Sequence, residues 1–266
     1  MLGKLVKYEF KATGRLLLPL YAAFLIMTLI TKFFGSINSD ATGLVISMGV
    51  VIFLYTILII GLAVMTFIMI IQRFYKNLMT DEGYLMFTLP VPVWQQVVAK
   101  MLIGLFWSVI YVIAVGLSAL ILILNSDTAA AMLNAFNGLN WPVFLQNHGI
   151  LLCIEILICM LVATMAAMTQ IYAAIALGQL SNKHKILMAV VAYIGIAVVQ
   201  QIVLSLGMLS FSAGAEATGL MTFFAAMDAV DILQWLFNGL TLVDLIFGGI
   251  MFAITTYVLK HKLNLE

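Results

Sequence analysis

Long apolar stretches alternate with shorter polar ones along this chain. Six of them stand out, at Leu16 to Phe34, Leu44 to Ile71, Met101 to Leu124, Gly149 to Leu180, Ile186 to Phe211 and Leu240 to Leu259. Each is close to or beyond the ~20 residues needed to cross a hydrocarbon core ~30 Å thick. Runs this continuous cannot be the alternating strands of a barrel, so the pattern predicts six membrane-crossing helices in an all-α protein. At ~1.5 Å per residue the second and fourth, if unbroken, would reach ~40 Å or more. They must tilt or project beyond the bilayer.

The start of the chain follows a different pattern. At ~100° per residue Lys4, Lys7, Lys11 and Arg15 share one helix face, and Leu2, Leu5, Val6 and Thr13 gather opposite. A basic face against an apolar one predicts an amphipathic helix over Leu2 to Gly14, lying in the headgroup layer. Glu9 projects from the apolar side. Two readings are open for it: a local pair with a nearby lysine, or a contact with a neighbouring loop or subunit.

Between the second and third spans lies Gln72 to Lys100, QRFYKNLMTDEGYLMFTLPVPVWQQVVAK, which is too apolar for an ordinary loop. Tyr84, Leu85, Phe87, Leu89, Val91, Val93 and Trp94 crowd a short segment where water-facing loops favour Gly, Pro, Asn, Asp and Ser. The pattern suggests a short interfacial helix covered by a partner and ended by Pro90 and Pro92, with the next span starting near Val97. The last outer loop, Ser212 to Gly239, is also apolar in places. It suggests one or two re-entrant or interfacial helices.

Composition sharpens this picture. Of the 266 residues 65% are hydrophobic and 9% charged, with a mean hydropathy of +1.18, far from the profile of soluble domains. No repeat, low-complexity run or soluble extension marks a second domain, so one membrane domain over residues 1–266 is expected. A cleaved signal peptide fits poorly, because the first apolar run is long and Thr31-Lys32-Phe33-Phe34 is no small-residue cleavage site. Cys153 and Cys159, six residues apart in one span, fall on different helix faces and read as inert filler.

The net charge is only +1, yet the basic residues are distributed unevenly. All Lys and Arg except Lys32 precede the first span, lie between spans two and three or four and five, or follow the sixth. The positive-inside rule therefore predicts that both termini face the cytoplasm. The outer loops agree, since Asn125 to His148 and Ser212 to Gly239 contain acids but no Lys or Arg.

Several chemistries lack their residues. There is no Gly-Lys-[Ser/Thr] of a P-loop to cradle phosphates, so the chain is not expected to hydrolyse ATP itself. HExxH and GxSxG are missing, and His148, His184 and His261 are scattered over both predicted sides, so neither a zinc site nor an intramembrane enzyme is expected. What remains is polar residues inside the spans, where an ionised acid at a helix centre costs ~2.5 to 3.5 kcal/mol. Glu155 and Asp244 lie in outer halves; they read either as interhelical hydrogen bonds and headgroup contacts or as the lining of an outward-opening cavity. Gln170, Gln200 and Gln201 invite the same readings. Gln170 favours the structural one, because Ala163, Ala167, Ala174 and Gly178 beside it form a small-residue stripe for close helix approach.

The amphipathic start LVKYEF, the segment DEGYLMFTLPVPVWQQVVAK and the ALGQLSNKHKIL that closes span four resemble the six-helix permease subunits of ABC-2 type transporters, especially the short ones of Firmicutes. The resemblance runs over essentially the whole chain and is specific at the segment between spans two and three. It implies an ATP-driven exporter subunit in a bacterial plasma membrane, with an N-terminal elbow helix at Leu2 to Gly14 and outer re-entrant helices in Ser212 to Gly239. A coupling helix would dock a separate ATP-binding subunit through Asp81, Glu82, Gly83, Tyr84, Leu85 and Phe87. ATP and magnesium would then be held by that partner and no cofactor by this chain. A second permease copy, identical or similar, would complete the translocation path among membrane lipids, with no nucleic acid involved. Two other classes stay open: a scaffold or sensor subunit that binds an ATPase without moving substrate, and a secondary transporter, against which stand the lack of convincing inverted repeats and of charge near the midplane.

Overall fold

The computed structural model describes residues 2–37, 41–80, 83, 88, 90–124, 126–138, 148–181, 183–218 and 228–262. Among the described residues there are seven helices and no strand: α1 (Leu2–Ile37), α2 (Ala41–Met79), α3 (Val93–Ile123), α4 (Ser126–Gly138), α5 (Gly149–Gly178), α6 (Lys185–Thr218) and α7 (Ala229–His261). All except the 13-residue α4 are long and apolar enough to cross a membrane. This matches the six spans expected from hydropathy and marks a multi-pass membrane protein.

The helices outrun the apolar stretches that predict them. α2, with 39 residues, continues through Gln72-Arg73-Phe74-Tyr75-Lys76 to Met79, and α3 begins at Val93 rather than near Val97. The interval between these two helices is therefore 80–92 rather than 72–100. Apolarity marks where lipid would end, whereas a helix continues as long as its residues tolerate it, and Gln, Arg, Lys and Met all do. For the same reason the basic start and the first span are one 36-residue helix, without a turn at Gly14 or Arg15. The predicted faces are nevertheless correct: Lys4, Lys7, Lys11 and Arg15 are exposed, while Glu9 and Thr13 are buried.

The described parts of Ser212 to Gly239 belong to two long helices, while residues 219–227, with the apolar Leu220-Met221-Thr222-Phe223-Phe224 run of the expected re-entrant helices, lie outside the described residues. The Ala-rich run to Thr218 prolongs α6, and Ala229 to Gly239 forms the first turns of α7. Alanine is the strongest helix former, and a lone glycine such as Gly239 costs only ~1 kcal/mol inside a helix.

The chain divides into two compact units, one of residues 1–74 and 95–139, the other of residues 75–94 and 140–266. In the first, Leu17, Tyr21 and Phe24 of α1 pack with Leu62 of α2 and Ile103, Trp107 and Ala114 of α3. The Trp107 ring stacks on Phe10 at 5.9 Å and on Tyr21 at 5.8 Å, the spacing of favourable offset aromatic pairs. Hydroxyls join the same three helices. Thr66 donates to the Leu62 carbonyl at 2.8 Å, which leaves Tyr21 to donate to Thr66 Oγ1 at 2.9 Å. In the same way Ser118 donates to Val115, and Tyr55 donates to Ser118 at 2.7 Å. At the far end Lys32 Nζ donates to the carbonyl of Leu124, just past the end of α3, at 2.7 Å. A cation at a helix C-terminus satisfies orphan carbonyls and the dipole together, so the one basic residue out of line with the charge asymmetry has a structural partner.

In the second unit α5 packs along α7 and against α6. Small residues allow the approach. A Cβ built on Gly248 would lie 3.2 Å from the Ala166 backbone, and one on Gly178 would lie 2.6 Å from Ala189 Cβ. Of the predicted small-residue stripe, Ala174 and Gly178 are buried and Ala167 is exposed. Gln170 is buried, in keeping with its structural reading. Cys153 is exposed and Cys159 buried, on different faces as their spacing requires.

Candidate functional site

Two groups of polar side chains qualify, one in each unit. In the first unit Glu9 Oε1 lies 3.3 Å from Lys100 Nζ on α3 and 3.9 Å from Arg73 Nε on α2. Glu9 and Lys100 are both buried. The pairing reaches two other helices of the same chain, at Arg73 and Lys100 of the segment Gln72 to Lys100, so the inward-facing acid contacts that neighbouring segment rather than a local lysine. A hydrogen-bond relay extends it: Trp107 Nε1 donates to Thr13 Oγ1 at 2.9 Å, and Thr13 donates to the Glu9 carbonyl at 2.9 Å. Helical spacing explains the relay, since Glu9 and Thr13 are four residues apart on α1, and Lys100 and Trp107 are two turns apart on α3.

Arg73 and Lys100 flank the 80–92 segment in sequence, one on the helix that leads into it and one on the helix that leads out. Asp81, Glu82, Tyr84, Leu85 and Phe87 lie outside the described residues. Gly83, the remaining member of the proposed docking set, is buried and donates its backbone N–H to Thr80 at 2.7 Å. The Thr80 hydroxyl donates to the Lys76 carbonyl. Gly83 is itself helical, and Pro92, which cannot extend a helix backwards, stands directly before α3.

The second group lies between α5 and α7. Glu155 Oε1 accepts from Asn238 Nδ2 at 3.0 Å. Glu155 Oε2 and Gln234 Nε2 are buried atoms without a hydrogen-bond partner among the described residues. Gln234, Asn238, Thr241 and Asp244 recur every three to four residues on α7, which places a polar stripe along its N-terminal half. In the C-terminal half the stripe gives way to Gly248, Met251 and Thr255, the last two buried. Asp244 and Gln200 are half-buried and Gln201 is exposed. Among the described residues no side-chain hydrogen bond joins Gln200 or Gln201 to Glu155. The structure therefore places Glu155 and Asp244 on the paired helices α5 and α7, and puts Gln200 and Gln201 on α6.

Sequence reasoning did not find Asn238, Gln234, Arg73 or Lys100 as partners. The signal for Asn238 and Gln234 was their helical register with Asp244, hidden because Asn238-Gly239 reads as a turn. Among the described residues no cluster of His, Cys, Asp and Glu could hold a metal ion. No family model, curated protein or solved structure matches the chain.

Proposed function

We propose that this chain is the membrane-spanning subunit of an ATP-driven exporter of the ABC-2 type, docked through residues 80–92 onto a separate ATP-binding subunit. The observation that carries the reading is the convergence of Arg73 and Lys100 on Glu9. A segment that receives force from a soluble partner must be mounted on helices that move as a unit, and a buried ion cluster ties α1, α2 and α3 together beside the membrane-crossing core. The acids and aromatics of 81–87 suit a partly charged, partly apolar groove on such a partner.

In this reading both termini and 80–92 face the cytoplasm of a bacterial cell, and two permease copies form the path at their interface. Closure of the ATPases on ATP would press on 80–92 and switch the helix bundles between two packings. Glu155 and Asp244, with the amide-bearing stripe of α7, would line an outward-opening cavity. Co-purification with the ATP-binding subunit tests the docking. Replacing Glu82 and Tyr84 by Ala is expected to lower its recovery at least tenfold, with the permease still folded; undiminished recovery would remove the docking assignment.

A further inference from the structure

The turn before α6 carries Lys183, His184 and Lys185 in succession, and Met188 N–H donates to the His184 carbonyl at 2.9 Å as the helix begins. An open depression of about 810 Å³ lies against this start, within the ~300–1,000 Å³ of small-molecule sites. Its polar lining is Tyr75, Lys183, His184 and Lys185. Its other wall is Ile186, Leu187 and Val190, large apolar side chains that are 72%, 61% and 54% exposed. At ~100° per residue these three share one face of α6, so the apolar wall runs down the helix from the cationic end. The first turn of α6 contains no acid, and among the described residues none pairs with Lys183 or His184.

A site that is cationic at one end and apolar along the other matches an amphiphile with an anionic head. A free anion would make no use of the apolar wall, and α6 is itself long and apolar enough to cross a bilayer, where the available amphiphile is lipid. We propose that this depression holds one anionic phospholipid, its phosphate against Lys183 and His184 with the Tyr75 hydroxyl as a further donor, and an acyl chain along Ile186, Leu187 and Val190. Cations close to an anionic membrane surface attract it; here the depression converts that diffuse attraction into a single seat. The site requires only that α6 cross a bilayer, whatever the chain transports or binds.

The test uses the full-length protein in detergent, titrated with phosphatidylglycerol or phosphatidylcholine of identical acyl chains and read by native mass spectrometry. One phosphatidylglycerol is expected to be retained in preference to phosphatidylcholine. Lys183→Gln should weaken it about fivefold, and Lys183→Gln with His184→Gln further. Lys260→Gln, an exposed lysine outside the depression, should leave it unchanged. Leu187→Gln should weaken the lipid as well. Equal retention of the two lipids, or an equal loss from Lys260→Gln, would reduce the depression to ordinary surface charge and overturn the proposal. Inorganic phosphate that displaces the lipid completely at millimolar concentration, together with an unchanged affinity in Leu187→Gln, would overturn it in favour of a phosphate site. All four positions are exposed or at a surface, so unchanged thermal melting of the variants is expected to accompany these results.

Discussion

Glu9 Oε1 stands 3.3 Å from Lys100 Nζ, and their side chains retain 11% and 4% of their exposure. Two charges so far withdrawn from water gain little net stability over apolar residues of the same shape, yet the removal of one partner is costly because the other remains buried. Lys100→Met leaves Glu9 with Arg73 at 3.9 Å as its remaining cation. The expected loss is ~3 kcal/mol, the lower end of the ~3–5 kcal/mol for broken buried pairs, since Arg73 and residual solvent compensate in part. Chemical unfolding of the detergent-solubilised protein measures it. Glu9→Gln with Lys100→Met together should cost clearly less than the sum of the single changes; strict additivity would show that the two do not act as a pair.

The Trp107 indole offers a separate handle on the same region. Phe at this position keeps an aromatic ring between Phe10 and Tyr21 but loses the N–H that reaches Thr13 at 2.9 Å. Trp107→Phe should cost ~1 kcal/mol, the net value of one hydrogen bond, and Trp107→Ala ~3–5 kcal/mol, as for a large cavity. Equal costs for the two would mean that the donor, rather than the ring, carries the contact.

These relationships were only partly legible in the sequence. Six spans could be read because lipid demands apolar side chains in runs of about twenty, a signal that no other context mimics. The register of the basic face on α1 could also be read, since Lys4, Lys7 and Lys11 repeat at helical spacing. Helix ends could not, because Arg73 and Lys76 look like loop residues to a hydropathy scale and yet lie within α2. α4 was missed for a similar reason. Its Ala129-Ala130-Ala131 run favours helix, but a helix of 13 residues with Ser126, Asp127 and Asn134 carries no span-length apolar signal. Glu9 was visible as an anomaly on an apolar face. Its partners, far away in the chain, were not, because pairing across helices depends on packing that a single sequence does not encode locally.

Glu155→Gln and Asp244→Asn separate a structural role from a lining role. Gln at 155 keeps an acceptor for Asn238, so the α5–α7 bond at 3.0 Å can persist while the charge is lost. If these acids line a path, the variants should assemble at normal yield and change transport or substrate preference in vesicles that contain the ATP-binding subunit. Loss of folded protein instead would assign both acids to helix packing. Asn238→Ala provides the reference, since it removes the donor and leaves the charge of Glu155 in place.

Three glycines, one in each of α5, α6 and α7, form a graded test of how closely these helices approach one another. A Cβ on Gly195 of α6 meets nothing within 4 Å, one on Gly248 of α7 comes within 3.2 Å of Ala166 Cα, and one on Gly178 of α5 falls 2.7 Å from the Ala189 backbone. Alanine is a better helix former than glycine by ~1 kcal/mol, partly through a restricted unfolded chain. Where space is open that gain should appear undiminished, so Gly195→Ala is expected to stabilise by up to ~1 kcal/mol. At Gly248 the gain and the steric cost should nearly cancel. At Gly178 the neighbour is backbone, which cannot rotate aside, and forced overpacking costs ~1–3 kcal/mol. Gly178→Ala should therefore destabilise and push the start of α6 away from α5, detectable as a longer distance between spin labels placed on Leu180 and Met188. A Gly178→Ala protein with wild-type melting and an unchanged label distance would mean that the two helices are not held in the contact that Gly178 and Ala189 define.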